Sequence, residues 1–358
     1  MKIKLSNDQR HVLREIWKWF VGKKSPYLTF GGYAGTGKTT MTALFRQALR
    51  NEYPDLEVAF CSYTGKAARV LDDTLQKHEA RFSKDTTSTI HSLIYEPEKN
   101  DRGHIIGWHP KEKIKTDLII VDEASMVNRE IWNDLLSYER PILAVGDHGQ
   151  LPPVDRNFNL MEKPNLRLEK IHRQARGNPI IKLSEKVRQH NEIPFGDFGR
   201  VKKLPKNSPE TGQVVEEILE AYDDELMVLV GYNRSRVQLN NAIREMQGMT
   251  SSQPKSGDQI ICLRNNHDKG IYNGMRGIIN RIEPYQDKKG RNLWYFIEAE
   301  MDSSESYAGK VLKKQFNKEK TLRDSNELSF YEMGDLFDFG YALTVHKAQG
   351  SQARRVLL

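Results

Sequence analysis

Residues 27–40 read Tyr27-Leu28-Thr29-Phe30-Gly31-Gly32-Tyr33-Ala34-Gly35-Thr36-Gly37-Lys38-Thr39-Thr40. The first four are the apolar and β-favouring residues of a buried strand. From Gly32 the pattern is G-x-x-x-x-G-K-T, and beyond it Met41, Leu44, Phe45 and Leu49 recur at helical spacing. Strand, glycine loop and helix in that order are the context a phosphate loop requires. Glycines let backbone N–H groups curl around an oxyanion, and the following helix turns its positive end to the same charge. Gly32, Gly35, Thr36, Gly37 and Thr40 are expected around a bound nucleotide, ATP in the first instance. Lys38 is expected at the β- and γ-phosphates and Thr39 on Mg2+. Such a match arises by chance in about one chain in a hundred of this size.

Further along lie Val58-Ala59-Phe60-Cys61, Leu118-Ile119-Ile120-Val121 and Ile142-Leu143-Ala144-Val145. Each is short, nearly continuous in apolar residues and followed by polar residues or glycine, as strands of a parallel sheet covered on both faces should be. Asp122-Glu123 closes the second of these runs. Two carboxylates at a strand end can place one on Mg2+ and the other on the attacking water; the plainer reading is a helix cap followed by a first-turn Glu. A phosphate loop upstream favours the catalytic reading. Gly146-Asp147-His148-Gly149-Gln150 follows the third run, where the Gln150 amide can sense a γ-phosphate or position water. Without its neighbours the same stretch is an ordinary strand-to-loop turn.

The chain has 358 residues, room for two or three domains. A hydrophobic share of 38% beside 29% charged residues excludes a membrane protein and a wholly disordered chain. No run approaches the ~18 apolar residues of a bilayer span. The opening is polar at once, without the apolar core of a secretory signal, and the two cysteines, Cys61 and Cys262, lie in no CxxC pair. A reducing, cytoplasmic setting is therefore expected. The histidines show no metal-binding spacing. The net charge of +7 suits a polyanionic partner, although a basic surface also serves solubility. A second βα pattern runs from Met227-Val228-Leu229-Val230 into a helix over Val237 to Met246. From Gly257 to about Glu300 the pattern is all-β with Asn-Gly and Lys-Gly turns, a small barrel-like insert. Tyr95 to Thr116 reads as a hairpin excursion, and Tyr341 to Val345 as one more strand.

Gly32 to Thr39, Asp122-Glu123-Ala124-Ser125 and Gly146 to Val154, which ends Gln150-Leu151-Pro152-Pro153-Val154, together resemble motifs I, II and III of superfamily 1 helicases. The Leu-Pro-Pro-Val ending and Thr344-Val345-His346-Lys347-Ala348-Gln349-Gly350 are similar to the superfamily 1B branch, the RecD and Dda type. The resemblance runs from Leu5 to Gly350. It implies an α/β protein with two RecA-like P-loop motor domains, a small hairpin insert and an SH3-like β-barrel insert. The first motor domain would take residues 1–94 and 117–175, the pin hairpin 95–116, the second motor domain 176–256 and 332–358, and the barrel 257–331. The implied activity is that of an ATP- and Mg2+-dependent DNA helicase moving 5′→3′ on single-stranded DNA and opening forked duplexes. It would act as a monomeric motor, with replication or recombination proteins as partners. The alternatives are a DNA-stimulated ATPase or translocase with little unwinding, a phosphate-loop ATPase that does not touch DNA, and a single-strand-binding protein with a degenerate ATP site.

The resemblance assigns further residues one at a time. Leu5-Ser6-Asn7-Asp8-Gln9 is similar to the family's opening glutamine motif, which puts Gln9 at the adenine edge. Ser62 to Ala68 and Thr89-Ile90-His91 resemble segments that lie along single-stranded DNA, placing Thr64, Lys66 and His91 near phosphates or sugars; Lys66 is equally a surface residue at a helix start. His172-Arg173-Gln174 resembles motif IV, with Arg173 at the γ-phosphate. In motif V, Thr344 and His346 would contact the DNA backbone while Gln349 and Gly350 couple that contact to the nucleotide. Trp108 either stacks on an unpaired base at the fork or pins the hairpin to the sheet. Lys310, Lys313, Lys314, Lys318 and Lys320 form either a DNA-facing patch or a solvated face. The chain departs from the family after Gly350, where motif VI and its arginine have no clear match. Ala353 to Leu358 either directly follow motif V or resemble the tail of motif VI, with a segment absent between Gln352 and Ala353. In the first case the second sheet is expected to lack its final strand and hydrolysis to be severely reduced, unless Arg354 or Arg355 replaces the missing arginine.

Overall fold

Phe30, Val58, Phe60, Leu118, Ile120, Leu143 and Val145 pack into one apolar core, while their strand neighbours Cys61, Ile119, Val121, Ile142 and Ala144 pack into another. This alternation along strands buried on both faces makes a sheet the middle layer of three. The computed structural model describes residues 5–33, 35–99, 105–150, 158–168, 178–190, 192–266, 269–302, 306–322, 328, 332–349, 351 and 353–358. It divides into two units, residues 1–97 with 108–203 and residues 98–107 with 204–358.

The sheet of the first unit has the order Thr86–Thr89, Val58–Ser62, Leu118–Asp122, Ile142–Gly146, Tyr27–Gly32, Leu166–Leu168, and all its pairings are parallel. Ser62 lies opposite Asp122 and Gly31 opposite Gly146, so the glycine loop and the acidic pair leave the same edge. The helices Asn7–Gly22, Lys38–Glu52 and Gly65–Lys77 present Val12, Ile16, Met41, Phe45, Leu49, Leu71 and Leu75 to the core. Tyr95–Lys99 and Ile105–Pro110 form a separate two-stranded sheet. Its base is tied down by Tyr138, whose hydroxyl donates to the carbonyls of Ile94 (2.7 Å) and Lys111 (2.9 Å). The excursion is shorter than 95–116. Ile114 lies in the core, and the Thr116 hydroxyl donates to the carbonyls of Glu57 (3.0 Å) and Leu118 (2.8 Å). This unit extends to Lys203, past the expected boundary at residue 175.

The second unit holds a parallel sheet, Ala342–Thr344, Leu226–Val230, Arg355–Leu357, beside a five-stranded antiparallel sheet. The antiparallel order is Ser306–Leu312, Trp294–Met301, Arg276–Tyr285, Gln259–Cys262, Phe337–Phe339. Two expectations are corrected here. The antiparallel sheet recruits Phe337–Phe339, beyond the expected limit at 331, and shares one core with Leu219, Leu226, Val228, Ile243 and Ala342 of the parallel layer. A strand beyond motif V is also present, because Arg355–Leu357 adds to Leu226–Val230. Arg354 and Arg355, at the start of this strand, are both held in ion pairs. Arg354 pairs with Glu225 (2.9 Å) and Arg355 with Asp223 (2.5 Å), acids that precede the central strand and so lie at the edge opposite Thr344.

Candidate active site

Gly35 and Gly37 take φ of +81° and +94°, the left-handed region in which a side chain is strained. A Cβ on Gly32 would stand 2.6 Å from the Thr36 hydroxyl, so the loop closes only around glycine there. The Lys38 ammonium donates to the carbonyls of Gly32 (2.7 Å) and Tyr33 (3.3 Å), which seats it inside the loop. Thr39 and Thr40 begin the helix, and the Thr39 hydroxyl makes no hydrogen bond among the described residues. Gln9 is buried against the loop. In a capping box its Oε1 accepts from the Ser6 N–H (3.0 Å), while its Nε2 donates to the Thr36 carbonyl (3.1 Å). A primary amide carries two donors and two acceptor positions, so one of each remains for an adenine edge.

Asp122 stands at the same sheet edge. Burial, and then the neighbouring Glu123, push its carboxyl up to about 6, against the lowering pull of the Glu123 N–H and Lys38. A carboxylate so destabilised when empty is a ready ligand for a cation. Glu123 itself adopts φ +52°, an uncommon conformation for a side-chain-bearing residue and one found at functional turns. The next strand end supplies Gln150, whose Oε1 accepts from the Ser125 hydroxyl (3.1 Å), one turn after Glu123. The two loops meet because Gly146 has no side chain: a Cβ there would lie 2.7 Å from Met161 and 3.1 Å from the Ser125 nitrogen. The glycine loop is braced on the same side, with the rings of Tyr33 and His148 4.3 Å apart.

Three contributors were not legible in the motifs. Ser125 positions Gln150, and His148 meets Tyr33, but nothing in their spacing announces either contact. Ser62, register partner of Asp122, has a fully buried hydroxyl with no hydrogen-bond partner among the described residues. Orphaned polar groups of this kind are uncommon and call for a ligand or ion. The bare Thr39 hydroxyl, the high Asp122 carboxyl and the glycine cradle all fit a Mg2+-nucleotide.

The residues expected on DNA occupy two places. In the first unit, Thr64 caps the helix Gly65–Lys77, its hydroxyl oxygen accepting from the Ala67 N–H (3.2 Å), and Lys66 lies in the first turn of that helix. His91 is exposed near Tyr95, ring centroids 5.3 Å apart. Trp108 is 56% exposed, so it does not act as a buried pin. In the second unit Thr344 precedes the short helix Val345–Ala348, and His346 on that helix is exposed. Gln349 buries its Oε1 without a hydrogen-bond partner among the described residues. The lysine patch divides. Lys310 donates to the Glu332 carbonyl (3.0 Å) and Lys313 to the Asn292 side chain (2.5 Å), whereas Lys318 and Lys320 remain exposed. Arg173, Gly350, Ala34, Leu151 to Val154 and Gln352 lie outside the described residues.

A family model described as an AAA domain matches residues 4–203. The chain is 29% identical over 376 residues to the ATP-dependent RecD2 DNA helicase of Deinococcus radiodurans, covering 99% of this chain and 45% of that protein. It is 28% identical over 161 residues to the ATP-dependent DNA helicase dda of Enterobacteria phage T4, covering 43% and 34%. Among solved structures, Pif1 helicase from Bacteroides in complex with ADP-AlF3 and ssDNA is similar at a TM-score of 0.56 and 18% identity, over 99% of this chain and 86% of that one. At that identity the likeness shows the fold. The chain spans less than half the length of these two curated relatives.

Proposed function

Because the chain belongs to the AAA domain family, in its RecD- and Pif1-like superfamily 1B branch, we propose that it is the motor of an ATP-dependent DNA helicase that moves 5′→3′ on single-stranded DNA and opens forked duplexes. The observation that carries this reading is the convergence of Lys38, Thr39, Asp122, Glu123 and Gln150 on one edge of one parallel sheet. Edges of this kind bind nucleotides. When bound, a Mg2+-nucleotide supplies the phosphoanhydride whose cleavage drives the motor. Lys38 and the loop N–H groups neutralise the phosphates, and Thr39 and Asp122 hold the ion. Glu123 accepts a proton from the attacking water, which Gln150 orients. Gln9 selects adenine, and Arg173 stabilises charge developing at the γ-phosphate. Thr64, Lys66, His91, Thr344 and His346 touch the strand backbone, and Gln349 with Gly350 relays that contact to the nucleotide. The two-stranded sheet serves as the pin, with Trp108 at the fork, and the antiparallel sheet as the SH3-like insert. The protein acts as a monomer.

The test is ATP hydrolysis with and without single-stranded DNA, together with strand separation on forks bearing a 5′ or a 3′ tail. DNA-stimulated hydrolysis and separation of the 5′-tailed fork alone are expected. Hydrolysis indifferent to DNA would return the chain to the wider phosphate-loop ATPases.

A further inference from the structure

The root of the two-stranded sheet is fastened to one short helix, Arg129–Leu136. Tyr95 is the first residue of the ribbon, and its hydroxyl donates to the Asp134 carboxylate on that helix. Burial, and then this bond to Asp134, hold the Tyr95 hydroxyl above its ordinary value, so the proton stays on the tyrosine. A hydroxyl that donates to a carboxylate makes one of the stronger hydrogen bonds a protein contains. Just past the end of the helix, Tyr138 reaches the Ile94 and Lys111 carbonyls, one on each side of the ribbon. Lys111 closes the root, donating from its N–H to the Ile94 carbonyl (2.8 Å) and from its ammonium to the Ser92 carbonyl (2.6 Å). Glu130, one turn before Asp134, lies close enough to interact electrostatically with both His91 and Tyr95. One face of the helix is therefore turned to the ribbon root and to the ring of His91 beside it.

The other end of the helix begins at the nucleotide edge. A 3-10 turn, Ala124–Met126, follows Glu123, and Asn128 then caps the helix, its side-chain oxygen accepting from the Ile131 N–H (2.9 Å). Ser125 in that turn is the residue whose hydroxyl donates to Gln150. The Arg129 guanidinium stands 5.4 Å from the centre of the Phe158 ring, which follows the loop that carries Gln150.

Between these two ends the packing is continuous. Ala124, Val127, Ile131, Trp132 and Leu135 are buried in one core with Ile90 and Ile94, from the helix Ile90–Ile94 that leads into the ribbon. A close-packed interior transmits a displacement and does not absorb it. Strain is stored where the segment leaves its strand, at Glu123 with φ +52°. A change of that turn on nucleotide binding would be handed along the helix to Asp134.

We propose that residues 123–138 form an arm that carries the nucleotide state from Glu123 and Gln150 to the ribbon, with Asp134 and Tyr95 as positioning residues for strand separation. The inference rests on the proposed function and adds to it a link between hydrolysis and the pin that is built within the first unit.

Hydrogen exchange on the full chain without DNA reads this link directly. ADP with aluminium fluoride and Mg2+ should change protection at the glycine loop and also at Tyr95–Lys99 and Ile105–Pro110. Tyr95→Phe removes the hydroxyl and keeps the ring, and Asp134→Ala removes the acceptor. Both should erase the response of the ribbon and leave that of the glycine loop. Asp134→Asn keeps an acceptor and should retain the response. A hydrogen bond to a charged group corresponds to at least about a tenfold shift in an equilibrium. On a fork with a 5′ tail, base pairs separated per ATP hydrolysed should therefore fall about tenfold in Tyr95→Phe and in Asp134→Ala. Combining the two should cost no more than either alone, since both remove the same contact. A ribbon that ignores nucleotide in the unaltered chain, or a response that survives Tyr95→Phe, would overturn the arm and leave the helicase reading standing. Hydrolysis and unwinding that fall together in Tyr95→Phe would do the same, making the bond a support for the motor. An unaltered chain that hydrolyses ATP but separates no fork would overturn the functional reading, and the strand-separating part of the arm with it.

Discussion

Lys38 bonds two loop carbonyls and is the cation expected at the phosphates, so its removal separates chemistry from folding. Lys38→Ala should abolish phosphate release while keeping the unfolding midpoint within about 4 °C of the parent, because only partly buried hydrogen bonds worth about 1 kcal/mol each are lost. Glu123→Gln keeps shape and loses basicity. Nucleotide binding should persist while turnover falls about 10²–10⁴-fold, and near-normal turnover would remove Glu123 from the position of base. Lys347 supplies a pH signature. Its folded-state ammonium titrates near 8, below the ordinary 10.5, because burial and Arg236 disfavour the charge more than Asp338 and Cys262 favour it. Below pH 8 it is charged in both folded and unfolded chains, and the folded chain bears the penalty. Between about 8 and 10.5 the folded chain sheds the proton first, so this group's contribution to stability rises with pH. Lys347→Met should therefore stabilise the DNA-free protein at pH 7, by at most about 3 kcal/mol. That advantage should shrink as pH is raised through 8 in denaturant titrations, and an advantage constant from pH 7 to 10 would place the ammonium in ordinary solvent.

At the scale of elements, legibility followed burial. Tyr27–Gly32, Val58–Ser62, Leu118–Asp122 and Ile142–Gly146 are central strands, and their nearly continuous apolar runs announce them. Thr86–Thr89 and Leu166–Leu168 hold the two edges of the same sheet. The first is four threonine and serine residues and the second only three residues long, so neither carries a run or a period to read. In the site, Lys38, Asp122 and Glu123 are legible because their chemistry fixes their spacing from a strand end. The contacts of Ser125 with Gln150 and of Tyr33 with His148 depend on how two loops approach through Gly146, which is tertiary information. The hairpin shows the same limit. Its existence follows from a change in composition, yet its end does not, because Ile114 and Thr116 resemble loop residues until their partners are known. The structure therefore sharpens a test of the pin. Replacing residues 98–107 alone by a short turn leaves Tyr95, Lys111 and Thr116 on their anchors. Unwinding should fall well below DNA-stimulated hydrolysis in this variant, and equal loss of both would make the ribbon a support for the motor.

For the whole molecule, the second unit tests whether a motif boundary is also a folding boundary. The family resemblance marks 257–331 as an insert, and an insert of that kind would fold as a body of its own. Its core argues otherwise. Ile260, Cys262, Ile297, Phe337 and Phe339 of the antiparallel sheet pack with Leu226, Val228, Ile243 and Ala342 of the parallel layer. The helix Asn233–Met246 then joins the two with polar side chains. Asn240 donates to the Phe339 carbonyl (3.0 Å) and accepts from the Ala342 N–H (2.7 Å). Arg244, buried under the Phe339 ring, holds Asp258 through two bonds of 2.6 and 3.0 Å, and the Tyr341 hydroxyl donates to the same carboxylate. Removing one partner of such a pair strands a buried charge, which costs about 3–5 kcal/mol. Asp258→Ala should therefore destabilise both sheets together. In hydrogen exchange, amides of Leu226–Val230 and of Trp294–Met301 should lose protection by the same factor, as one cooperative unit does. If the antiparallel strands kept their protection while the parallel strands lost theirs, the two layers would be separate folding units and the boundary at 257 would be physical as well as evolutionary.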